Sequence, residues 1–199
     1  MLDMKKTLAY TLLTLVLIGG GCFGKKAEES SSTEPVEIDR DAILLEAREN
    51  GIIMSQEEVA AMSSLEPISV AGASNPTNVT AYLKADMKGW SSAALADVTG
   101  GESYGLSHAT FENGIYTVVA DMGNLTEPAE AYSYQGWLVN RKGSLMAVNI
   151  GTAVKTETGY AIVFTSSQDL SEFDFFVLTL ELTAGLSTPE EHILEGSFR

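Results

Sequence analysis

Phe173-Asp174-Phe175-Phe176-Val177-Leu178-Thr179-Leu180-Glu181-Leu182 is the stretch that decides the fold. Phe176, Leu178 and Leu180 share one parity and Phe175 and Val177 the other, so a strand here is apolar on both of its faces. Such a strand belongs in the middle of a sheet between packed layers, not on a surface. We take it as the spine of the core.

On either side of this stretch, β-rich segments alternate with turn chemistry. Glu112-Asn113-Gly114 should join Ser103–Phe111 to Ile115–Asp121, because Asn-Gly tolerates positive φ at both positions of a tight hairpin. Asn140–Gly143 should join Tyr134–Val139 to Ser144–Ile150, and Glu157-Thr158-Gly159 should join Thr152–Thr156 to Tyr160–Thr165. Val79–Met87 is expected to open the system and His192–Phe198 to close it. The result is an all-β reading: an immunoglobulin-like β-sandwich of about eight or nine mostly antiparallel strands over residues 74–199.

Upstream, residues 41–66 read as a short helical hairpin. Asp39 or Asp41 can cap the first helix, Ile43, Leu44 and Ala47 share a face, and Asn50-Gly51 supplies a left-handed stop. Ser55-Gln56-Glu57-Glu58 is a capping box for the second helix, which carries Val59, Ala60, Met62 and Leu65. Helices this short are not stable alone, so the hairpin needs a surface to lie on. It serves as a lid or spacer on the main domain, or as a docking element for a partner.

Residues 22–40 contain Glu28-Glu29, Ser30-Ser31-Ser32 and Pro35, with little to bury, and read as a disordered tether. Residues 1–21 have the architecture of a signal peptide: Lys5 and Lys6, an apolar run from Leu8 to Ile18, then Gly19-Gly20-Gly21 before Cys22. The run is well short of the roughly 20 residues a spanning helix needs. The single cysteine of the chain therefore sits where a bacterial lipobox places its acylated residue, with Gly19 in the position usually held by Leu. Cys22 is expected to carry fatty acyl chains such as palmitate and to hold the protein on the extracytoplasmic face of the cell membrane.

With one cysteine, an intramolecular disulfide and a cysteine zinc site are both excluded. Twelve Lys and Arg against 27 Asp and Glu leave a net charge of −15, which opposes nucleic acid as a partner. His108 and His192 stand in expected strands without neighbouring ligands, and no phosphate loop, nucleophile elbow or zinc-protease motif is present. No catalytic residue, cofactor or metal is expected. Asp169, Glu172 and Asp174 are the carboxylates nearest to a calcium loop, but they lack the spacing and the central Gly of an EF-hand. Trp137, Tyr134 and Tyr132 read as strand core, and Trp90, beside Gly89, as a surface contact.

Tyr134-Gln135-Gly136-Trp137-Leu138-Val139, the return Ser144–Ile150, Val177-Leu178-Thr179-Leu180-Glu181, and Thr188-Pro189 before Ile193-Leu194-Glu195-Gly196 resemble the extracytoplasmic C-terminal domain of the anti-sigma-K factor family. The resemblance covers about residues 80–198 and implies an immunoglobulin-like sandwich outside the membrane. Sigma inhibition in that family also needs a cytoplasmic segment and a spanning helix, and the short leader supplies neither. The resulting expectation is a lipid-anchored, non-enzymatic binding module that holds an envelope protein or glycan. The alternatives are a sensory accessory related to anti-sigma factors and a hydrolase with a spatially assembled site.

Overall fold

The structure, a computed structural model, describes residues 38–183 and 188–199. The leader, Cys22 and the tether up to residue 37 lie outside the described residues. Three short helices come first: α1 (Arg40–Glu49), α2 (Gln56–Met62) and α3 (Val79–Leu83). Nine strands follow: β1 (Ser91–Asp97), β2 (Tyr104–Glu112), β3 (Ile115–Gly123), β4 (Tyr132–Asn140), β5 (Met146–Thr152), β6 (Val154–Lys155), β7 (Tyr160–Ser166), β8 (Phe175–Leu182) and β9 (Glu191–Ser197).

The chain is all-β in class, as its sequence indicates. Every pairing is antiparallel, and the strands form one sheet in the order β5-β4-β8-β9-β1-β2-β3-β7-β6. This sheet curls toward a barrel, so its inward face wraps a single core. Leu138, Val148, Phe176 and Leu178 from one half meet Val118, Ala120, Ile162 and Phe164 from the other. β8 lies between β4 and β9 and is buried on both faces, which accounts for its unbroken apolar run.

The two ends of the sheet are successive pieces of one stretch. Residues 146–152 pair with β4 as β5, and the chain then turns through Gly151 (φ +99°) so that Val154–Lys155 pairs with β7 as β6. The remaining gap between β5 and β7 is sealed by residues 68–75. Ile68 N–H donates to Ala147 O (2.9 Å), Ser74 and Thr165 exchange backbone bonds (2.9 Å each way), and the Asn75 amide donates to Ile150 O (2.6 Å) and Val163 O (3.0 Å). Carbonyls that an open edge would leave bare are thereby satisfied.

Two boundaries differ from the expectation. Val79–Met87 does not open the sheet: Asn78 accepts from Ala81 N–H and caps the helical turn α3 instead. Strand β1 opens it, from Ser-Ser-Ala-Ala-Leu-Ala-Asp, which carries little intrinsic β preference. Its neighbours β2 and β9 supply the backbone partners, and Gly196 approaches Ala94 O so closely that a Cβ there would lie 2.3 Å from it. Arg40, read as the end of the tether, is the first residue of α1, with Asp39 as its cap.

The helical hairpin lies on the outer face of β4, β5 and β8. Met54 and Met62 pack with Trp137, Val139, Ala147, Phe175 and Val177 into a second core. The expected capping box is formed, with Ser55 Oγ accepting from Glu58 N–H and Glu58 Oε2 accepting from Ser55 N–H. Helix α1 buries none of its residues and is held by polar bonds, Arg40 donating to Gly101 O and pairing with Glu102 (3.0 Å).

Candidate functional site

One end of the barrel is concave and polar. The rim is built by the chain before β1, the β2–β3 ends, the β4–β5 turn, the β7–β8 loop and the close of β9. Together they enclose a cavity of about 340 Å³. Turn chemistry places each contribution. The β2–β3 connection is the Asn113-Gly114 turn, both residues at positive φ (53° and 77°), as the sequence required. Phe111 sits just before it, paired with Tyr116, and continues the inward-pointing row of Ser107 and Ala109 beyond the packed core.

The β4–β5 turn is fixed by the buried side chain of Asn140, whose Oδ1 accepts from Lys142 N–H (2.8 Å). That bond sets Lys142 at the mouth, where its Nζ lies 3.0 Å from Asp174 Oδ2. The Lys142 side chain is 72% exposed and that of Asp174 29%, so the pair is a rim contact with a shielded carboxylate. In the β7–β8 loop, Asp169 Oδ1 accepts from both the amide (2.9 Å) and the hydroxyl (2.6 Å) of Ser171. Those bonds hold the Asp169 carboxyl below its ordinary pKa.

Beneath the rim lie Tyr116, Phe173 and Phe198. Burial, with the charge of Asp169 added, pushes the Tyr116 phenol far above its usual value, so it stays a neutral hydroxyl at any working pH. Ser91, Ser171 and the β2 residue Thr110 complete the lining, the Thr110 hydroxyl being turned to Glu112 (3.2 Å). The mouth therefore offers one cation, one carboxylate, hydroxyls and aromatic surface within a space suited to a small polar ligand.

The residues singled out in the sequence fall as follows. Cys22 lies outside the described residues. Asp174 lines the mouth and Asp169 stands beside Tyr116, whereas Glu172 is exposed and does not line the cavity. Among the described residues no three His, Cys, Asp or Glu are grouped to hold a metal ion, and Asp174 is engaged by Lys142. Trp90 is half-buried; Gly89 and Ser91 on either side of it line the mouth, but Trp90 itself does not. Trp137 is buried under the helical hairpin, its indole N–H donating to Thr179 Oγ1 (2.8 Å), and Tyr134 lies in the inner core with its hydroxyl on Thr126 O (2.8 Å). Tyr132 is exposed at the other end of β4.

His192 and Glu195 form a buried pair, Nδ1 to Oε1 2.7 Å, and Glu195 Oε2 also accepts from Met54 N–H (2.6 Å). That carboxylate ties the hairpin to β9. His108 faces a separate apolar groove with Leu83, Met87 and Leu106. The sequence reading missed Lys142, Thr110 and Phe111 as mouth residues. Lys142 lies in a turn and Thr110 and Phe111 at the end of a strand, where the local pattern shows the hairpin but not what its end faces.

Comparison of the chain with known protein families, curated proteins and solved structures finds no match.

Proposed function

We propose that this chain is a non-enzymatic binding module, lipid-anchored through Cys22 on the extracytoplasmic face of the membrane, with the polar mouth of the barrel as its contact surface. The observation that carries the reading is the convergence of five separate segments of the chain on one concavity that holds complementary polar groups. Loops positioned by a rigid scaffold are where binding groups concentrate. The histidines, the side chains most apt for acid–base work, are placed elsewhere: His192 is locked against Glu195, and His108 lies on the outer face of β2. The lining carries one carboxylate, Asp174, and Lys142 already engages it.

A second reading, a sensory accessory related to the outer domains of anti-sigma-K factors, is favoured by one observation. The resembling stretches 134–139, 177–181 and 193–196 fall in three neighbouring strands, β4, β8 and β9. Mass spectrometry of the mature N-terminus and membrane fractionation, with Cys22→Ala as control, test the anchor. An acylated terminus at Cys22 that disappears in the variant supports it, and unchanged membrane association in the variant refutes it. Crosslinked pull-down from solubilised envelopes separates the two readings, since a membrane-spanning regulator of a sigma factor as the captured protein would favour the second. Turnover of an ester or glycoside substrate would overturn both.

A further inference from the structure

Resting on the reading of the barrel mouth as the contact surface, we infer that its ligand is a neutral saccharide of one to a few units. Three features select that chemistry. The first is charge: Lys142 and Asp174 pair across the rim at 3.0 Å and Asp169 stands close by, so the single cation of the lining is already engaged and an anionic ligand is disfavoured. The second is the kind of polar group. Ser91 carries a hydroxyl that both donates and accepts, Ser171 Oγ, its proton given to Asp169, offers an acceptor, and Asp174 Oδ1 is buried without a hydrogen-bond partner; these match a ligand whose own groups are hydroxyls. The third is aromatic surface: Phe111 is 39% exposed at the rim, and a ring left open beside hydroxyls suits the C–H face of a pyranose.

The size agrees. A cavity of about 340 Å³ lies at the small end of ligand sites, enough for one ring seated in the cavity and its neighbours lying across the rim. A peptide is a poorer match. The strands nearest the mouth are paired on both sides, so an extended chain has no free backbone edge there to add to.

The test is isothermal titration of the full chain, with saturation-transfer NMR, against neutral β-1,4-linked N-acetylglucosamine, β-1,4-glucan and α-1,4-glucan oligomers of two to four units. An acidic uronic oligomer and a basic apolar peptide serve as comparison probes. One neutral series should bind with a dissociation constant on the order of a millimolar or tighter. Phe111→Ala and Asp174→Asn should each weaken binding by about tenfold or more, whereas Tyr132→Ala, an exposed aromatic at the other end of β4, should leave it unchanged. Ser91→Ala, which removes a hydroxyl of the lining, should also weaken binding, and thermal midpoints confirm that each protein is folded. Binding that persists in both mouth variants, or is lost in Tyr132→Ala alone, overturns the assignment. Preference for the uronic oligomer or the peptide overturns the saccharide chemistry while leaving a binding module. Capture of an envelope protein with no saccharide binding does the same.

Discussion

Asp97 ends β1 with a carboxylate that accepts from Thr99 N–H (2.9 Å), the Thr99 hydroxyl (2.6 Å), Gly101 N–H (3.1 Å) and Ser103 N–H (3.0 Å). Partial burial works to raise its pKa, but the Thr99 hydroxyl and the amides of Ser103, Thr99 and Gly101 together outweigh it and hold the value below the ordinary one. A depressed native pKa contributes stability above the unfolded value of about 3.9, and that stability is lost as the pH falls through the native value. Asp97→Asn should therefore cost roughly 1–2 kcal/mol at pH 7, with the gap to the parent closing below about pH 4. Urea midpoints across pH 3 to 7 measure this, and a gap independent of pH would contradict it. Asn75 acts at the same scale. Its amide satisfies carbonyls on both β5 and β7, and Asn75→Asp replaces a donor with an acceptor facing two acceptors. A loss of about 2–4 kcal/mol is expected, read from the same denaturation curves. Gly151 belongs to this joint as well, since a Cβ there would lie 2.5 Å from the Asn75 amide nitrogen.

The helical hairpin behaves as an element fastened at a few points. Met62 is fully buried in the outer core, Glu195 accepts from Met54 N–H, and Arg141 bonds Gly51 O (3.1 Å) while stacking 3.9 Å above the Phe175 ring. Met62→Ala should cost about 2–4 kcal/mol and speed hydrogen exchange in the hairpin and in β4 and β8 beneath it, with β2 and β3 little changed. Uniform acceleration over the whole chain would show that the hairpin is not a separate unit. This element was largely legible in advance, because the Ser55–Glu58 box and the Asn50-Gly51 stop are local signals. So were β8, through its two apolar faces, and the β2–β3 hairpin, through Asn113-Gly114. β1 was not legible: its alanines and serines carry little β preference and become a strand through the partners that β2 and, more than 90 residues on, β9 supply. The mouth was half legible. Asp174 drew notice as a carboxylate, but Lys142 meets it through a contact between two loops that no local pattern encodes. The partner of Glu195, a backbone amide 141 residues distant, was hidden for the same reason.

For the whole molecule, a net charge of −15 means that the folded state concentrates repulsion which the extended chain relieves. Sodium chloride raised from about 10 to about 500 mM should therefore increase the thermal midpoint by a few degrees, before any specific ion effect. A midpoint that falls steadily with salt would mean that attractive pairs such as Arg40–Glu102 and Lys155–Glu127 dominate instead. Topology has a larger consequence. β9 is the last strand of the chain, yet it is hydrogen-bonded in the interior of the sheet, between β8 and β1. As the chain emerges from the ribosome, β5-β4-β8 and β1-β2-β3-β7-β6 can gather as two partial sheets, but the facing edges of β8 and β1 stay raw until β9 has emerged to pair with both. Closure of the sheet thus waits on β9, and a chain cut short before Glu191 lacks the middle of its sheet, not merely an end.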